Sequence, residues 1–176
     1  MSSPEPITPD TKDWTWVLER PCPECGLDAA TVLLEELGAA IRENAAGWPP
    51  VLGGPDAAAR PRPDVWSPTE YACHVRDVHA LFAERLELML AEDGARFANW
   101  DQDATAVERR YDLQQPGEVA TALLAAAEGV AALYDAVPDD AWGRTGARSN
   151  GDLFTIETFG QYHLHDVVHH LWDVTT

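Results

Sequence analysis

The sequence predicts an all-α protein, a four-helix bundle, and three observations carry that expectation. Apolar residues recur every three or four positions in four separate stretches. Recognisable start and stop signals bracket most of these stretches. Between them there is no period-two alternation of the kind that marks a half-buried strand. The expected arrangement is an up-down-down-up bundle with long connections. Residues 1–26 form an extended N-terminal arm and residues 27–176 form the helical domain.

Pro4, Pro6, Pro9, Pro21 and Pro23 exclude a long helix from the arm. Trp14, Trp16, Val17 and Leu18 give it an apolar anchor. A first helix is expected from Leu27 to about Asn44, on the repeat Leu27, Thr31, Leu34, Ile41, with Asp28 as N-cap and Gly47-Trp48-Pro49-Pro50 as its end. Residues 49–65, with Gly53-Gly54-Pro55 and Pro61-Arg62-Pro63, read as loop. The second helix has the clearest start. In Ser67-Pro68-Thr69-Glu70, Ser is the N-cap, Pro the first helical residue and Glu the reciprocal partner of a capping box. It runs to about Ala91, with Val75, Val78, Phe82, Leu86 and Met89 on one stripe. Residues 93–115 read as a connection with one helical turn. A third helix spans Pro116 to just before Pro138, on Val119, Leu123, Ala126, Val130, Leu133 and Val137. After a second connection containing Asn150-Gly151, Thr155 opens the last helix, about 156–174.

A chain of 176 residues with 45% hydrophobic content and seven Trp is long enough to bury one core. Thirty acidic residues against eleven Arg and one Lys give a net charge of −18. Such a surface repels phosphate backbones and anionic lipid, which argues against nucleic-acid and membrane partners. No apolar run approaches the ~20 residues that span a bilayer, and the polar N-terminus shows no signal peptide. Three cysteines do not suggest a disulfide framework. A cytoplasmic protein is expected, with a homodimer through an outer helix face compatible with the bundle.

Four of the six histidines lie in His163-Leu164-His165-Asp166-Val167-Val168-His169-His170. On a helix His165 and His169 are i and i+4, so both rings can grip one divalent ion. The plainer reading is that such a pair arises by chance in a His-rich helix. His74, near the start of the second helix, is the natural third partner. Three such ligands leave an open coordination position, the catalytic kind of site.

Two segments carry a resemblance: Trp66-Ser67-Pro68-Thr69-Glu70-Tyr71-Ala72-Cys73-His74-Val75-Arg76-Asp77 and His165-Asp166-Val167-Val168-His169-His170. The chain resembles the DinB-like superfamily of four-helix-bundle metalloproteins over roughly residues 27–174. The resemblance implies a divalent metal cofactor, zinc or nickel, held by His74, His165 and His169. It also implies metal-assisted thiol chemistry, since relatives include a mycothiol-dependent maleylpyruvate isomerase and thiol S-transferases. The partners would be a low-molecular-weight thiol such as mycothiol or bacillithiol and an electrophilic substrate. The alternatives are a metal-dependent hydrolase and a non-catalytic protein with a structural ion.

Asp77, Asp166 and Asp173 are candidates to orient the ligand rings, and His170 is a candidate base beside them; the plainer reading makes His170 and His163 structural or surface groups. Arg144 and Arg148 could clamp a substrate carboxylate, though pairing with the chain's own carboxylates is the plainer reading. Trp100 could line the pocket mouth or simply anchor its loop. Cys22-Pro23-Glu24-Cys25-Gly26 is a zinc-knuckle-like turn with three readings: no metal, a second zinc completed by other residues, or a redox pair. Cys73 cannot point at the same ion as His74, because consecutive helical residues diverge by about 100°.

Overall fold

The computed structural model describes residues 6–176. Its helices are α1 (Leu37–Ala46), α2 (Trp48–Leu52), α3 (Pro68–Ala91), α4 (Gln102–Glu108), α5 (Pro116–Asp135) and α6 (Ile156–Thr175). Helices α1, α3, α5 and α6 pack around one core, and α2 and α4 lie in the connections.

Helix α3 begins where its start signal places it. Ser67 accepts from the Glu70 amide, and the Glu70 carboxylate accepts from the Ser67 amide at 2.8 Å. Glu70 is buried and also takes a forked ion pair from Arg60 at 2.5–3.1 Å. Helix α6 opens with a second reciprocal cap between Thr155 and Thr158. Thr155→Ala should therefore cost about 1 kcal/mol, seen as a lower urea midpoint.

The first helix starts ten residues later than its periodicity suggests. Residues Ala29–Thr31 and Leu34–Glu36 form separate 3-10 turns, with Val32 and Leu33 extended between them. The cause is tertiary: the Gln161 side-chain amide from α6 donates to the carbonyls of Ala30 and Val32 at 3.5 and 3.3 Å. Those bonds tie the segment, with Val32 and Leu33 extended, to α6. Further on, Gly38 lets α1 approach α5, since a Cβ there would lie 2.1 Å from Asp135 Oδ1.

The all-α expectation needs correcting to a mostly helical fold with a small mixed sheet. Strands β1 (Ala95–Phe97), β2 (Thr145–Arg148) and β3 (Leu153–Thr155) lie in the two long connections. β1 pairs parallel with β2, Ala95 opposite Gly146, and β2 pairs antiparallel with β3, Thr145 opposite Thr155. Strands of three or four residues are too short to show alternation, and the β1–β2 pairing joins positions about fifty residues apart. The β2–β3 hairpin had a local signal in Asn150-Gly151, where Gly151 takes φ +99°. Helix α5 does reach the length and apolarity of a membrane span, but it is alanine-rich and packs against α1 and α3 as a member of the bundle.

At the core, Phe82 stacks on Phe159 at 4.4 Å and on His163 at 4.3 Å. His163 is fully buried and belongs to a polar chain. Tyr134 Oη lies 3.2 Å from His163 Nδ1, and His163 Nε2 lies 3.0 Å from His79 Nδ1. Burial lowers the pKa of His79 to about 4 and holds His163 well below its ordinary value. The folded pKa lies below the unfolded one, so as pH falls the unfolded chain takes up protons first. Stability is then lost between about pH 6.5 and 4. For His79 alone the loss should reach ~2 kcal/mol at pH 5. Urea midpoints at pH 7 and 5, both in chelator, measure it; equal midpoints would contradict the assignment.

Candidate metal centre

Helix α6 carries two i, i+4 pairs offset by one residue, His165/His169 and Asp166/His170. One residue turns a helix by about 100°, so the pairs lie on adjacent stripes and meet different neighbours. Among the described residues, possible donor atoms within 4.8 Å of one another form two sets. His74, Asp166 and His170 make one; Cys22, Cys25, His165 and His169 make the other. The trio expected from the sequence is thus divided: His74 groups with Asp166 and His170, while His165 and His169 group with the arm.

In the first set, Asp166 Oδ1 stands 3.9 Å from His74 Nε2 and 3.6 Å from His170 Nε2. His74 Nε2 and Asp166 Oδ1 are buried and have no hydrogen-bond partner. His74 Nδ1 is likewise without a partner, so neither ring nitrogen of this buried imidazole is satisfied, an expensive arrangement that a cation beside Asp166 Oδ1 would relieve. His170 Nδ1 is 3.1 Å from Asp173 Oδ2, which fixes its ring so that Nε2 faces the set. Trp100 stacks on His74 with ring centres 5.3 Å apart and planes 8° from parallel, and is itself held by a hydrogen bond to Thr105.

Titration behaviour follows from these surroundings. Burial, and then the neighbouring His170, hold His74 well below its ordinary pKa, so its ring is neutral and available as a ligand. Burial raises the Asp166 carboxyl despite the opposing influence of His170 and His169. Burial alone would lower His170, but the hydrogen bond to Asp173 and the charges of Asp166 and Asp173 outweigh it and raise the pKa.

In the second set, Cys22 Sγ lies 3.7 Å from His169 Nδ1. Trp14 covers the histidines, with its ring 5.6 Å from His165 and 4.9 Å from His169. Burial pushes the Cys25 thiol up to about 11, the direction opposite to that of reactive thiols. Cys73 lies in the hydrophobic core and belongs to neither set.

The remaining candidates divide plainly. Asp77 accepts from Tyr111 and is paired with Arg76 at 2.9 Å and Arg109 at 3.1 Å, so its carboxylate is engaged away from His74. Arg144 donates to the Leu90 carbonyl at the end of α3. Arg148 pairs with Asp152 and lies over the Phe154 and Tyr162 rings, on the wall of the cavity. The Arg144–Arg148 clamp is therefore not assembled. Trp100 does line the cavity.

That cavity has a volume of about 630 Å³ and opens beside both sets. Seven carboxylates and three cationic side chains line it. Asp103 among them has a buried carboxyl oxygen without a partner; burial, then Asp101 and Asp10, raise its pKa. Sequence reasoning did not single out Asp103 or place Trp14 at the site. The second i, i+4 pair was legible, but its stripe had no distinguishing mark.

A helical bundle with histidine and carboxylate donors converging from α3 and α6 defines the class, and the chain belongs to the DinB superfamily, whose family model matches residues 27–174. Among solved structures the chain is similar to YfiT from Bacillus subtilis, described as a probable metal-dependent hydrolase with an unusual four-helix bundle topology. That match has 17% identity and a TM-score of 0.62, and covers 97% of this chain and 92% of the other. A comparison with curated protein sequences finds no match.

Proposed function

We propose that this protein is a metal-dependent enzyme whose divalent ion is held by His74, Asp166 and His170. The observation that carries the reading is the buried pair His74 Nε2 and Asp166 Oδ1, neither with a hydrogen-bond partner, on the wall of an open cavity. Two imidazoles and one carboxylate suit zinc and nickel alike and leave coordination positions free. When bound, the ion supplies Lewis acidity, which lowers the pKa of a nucleophile and polarises an electrophile.

The chain's own residues do the rest. Asp173 orients His170, and Trp100 shields one face of His74 from water. Asp103 is suited to hold and release a proton beside the ion, because burial, then Asp101 and Asp10, raise its pKa. The excess of carboxylates around the cavity disfavours anionic thiols such as glutathione and favours water as nucleophile. The hydrolase description of YfiT agrees with this, so hydrolysis of a neutral or cationic electrophile is the first reading.

Thiol transfer is the second. It is favoured by the size of the cavity, which has room for an uncharged low-molecular-weight thiol such as mycothiol as well as a small electrophile. One assay separates the two. Metal-loaded protein is given a panel of esters, amides and electrophiles with and without mycothiol, bacillithiol and glutathione. Turnover without thiol, lost in His74→Ala and Asp166→Asn, supports hydrolysis. Turnover only when thiol is consumed supports transfer. Equal turnover by metal-free protein would sink both.

A further inference from the structure

We propose that Cys22, Cys25, His165 and His169 form a second, closed zinc site that staples the N-terminal arm to α6. It is separate from the open centre and needs no substrate. The turn Cys22–Gly26 is built to present two thiols to one side. The Cys22 amide donates to the Leu27 carbonyl and the Gly26 amide donates to the Cys22 carbonyl, each at 2.9 Å. Gly26 takes φ +77°, a conformation that glycine adopts without strain. The thiols meet the His165/His169 stripe of α6, where Cys22, His165 and His169 are all buried.

The donor geometry is close to what zinc needs. With sulfur at about 2.3 Å and nitrogen at about 2.0–2.1 Å, tetrahedral donors stand roughly 3.3–3.8 Å apart. Cys22 Sγ and His169 Nδ1 already stand 3.7 Å apart, and the whole set lies within 4.8 Å. Each histidine adds an independent indication. His165 Nε2 is buried without a hydrogen-bond partner. His169 Nε2 faces Glu24 Oε2 at 3.5 Å and Asp173 Oδ1 at 3.7 Å while Nδ1 faces Cys22 Sγ, so a proton on Nε2 would leave the Nδ1 lone pair for the ion. A Cys22–Cys25 disulfide would leave the His165 nitrogen unanswered. Two Cys and two His fill a tetrahedral zinc, so this ion is structural.

The site also bears on its neighbour. Asp173 contacts His169 through Oδ1 and His170 through Oδ2, so one carboxylate orients a ligand in each set.

Cobalt loading of the full-length chain under reducing conditions tests the proposal. Wild type should bind two equivalents and show near-ultraviolet thiolate-to-cobalt charge-transfer absorption. Cys22→Ser and Cys25→Ser should remove that absorption and one equivalent. His74→Ala should remove the other equivalent and keep the absorption. A wild type holding one equivalent with the absorption intact supports the closed site and counts against the open one. Absence of the absorption in wild type overturns the proposal, as does its loss in His74→Ala. Where the cysteine variants fail to fold, alkylation of wild type read by peptide mass decides. Cys22 and Cys25 should be protected by zinc and exposed by chelator; equal labelling in both states overturns the proposal.

Discussion

His74→Ala is expected to empty the open centre and abolish turnover while leaving a folded bundle. Losing an outer partner of a metal ligand costs roughly 10–100-fold in affinity. Removing one of only three protein ligands should exceed that. The fold should tolerate the change better than its burial suggests, because it also removes a nitrogen that has no hydrogen-bond partner. The comparison with His165→Ala gives the experiment its force. If His74, His165 and His169 shared one ion, both variants would lose the same equivalent and the same activity. The division into two sets predicts otherwise: His165→Ala should keep turnover above half of wild type, measured at saturating metal. Equal loss in both variants would restore the single three-histidine site.

Glu70→Ala is expected to cause the largest loss of stability of any single substitution at the α3 start, about 3–5 kcal/mol by urea denaturation. The carboxylate is buried, closes the capping box through the Ser67 amide, and holds Arg60 in a forked pair. Truncating it takes the carboxylate away from a guanidinium that is itself largely buried and removes the cap in one step. His74 sits one turn further on, so metal affinity should fall with stability. Glu70→Gln keeps the cap acceptor and should lose less. A cost below ~1 kcal/mol for Glu70→Ala would mean that the pair adds nothing beyond an exposed cap.

These two predictions rest on features of different legibility. The start of α3 was fully readable, because Ser67, Pro68 and Glu70 act on one another across three residues. The start of α6 at Thr155 was readable for the same reason. The start of α1 was not, because Gln161, some 130 residues away, takes the carbonyls of Ala30 and Val32. The three-stranded sheet escaped notice because its strands are short and β1 finds β2 across α4 and α5. Of the candidate site, the donor residue types and the importance of His74 and of the last helix were legible. The partnership of each donor was not. Arg144 and Asp77 looked available in the sequence and are occupied by the Leu90 carbonyl and by the Tyr111–Arg76–Arg109 network.

By itself the sequence determined where the long helices run and that metal-ligating side chains recur at i, i+4 on the last of them. Both follow from the helical period and from caps, which are local. Tertiary structure decided which pair goes with which partner. Rotating α6 by one residue, about 100°, would bring the stripe that faces Cys22 and Cys25 round to His74. That rotation is set by how Phe159, Leu164 and Val167 bury against the other helices, and by the arm packing onto α6 through Val17 and Trp14. No spacing within the histidine run encodes it.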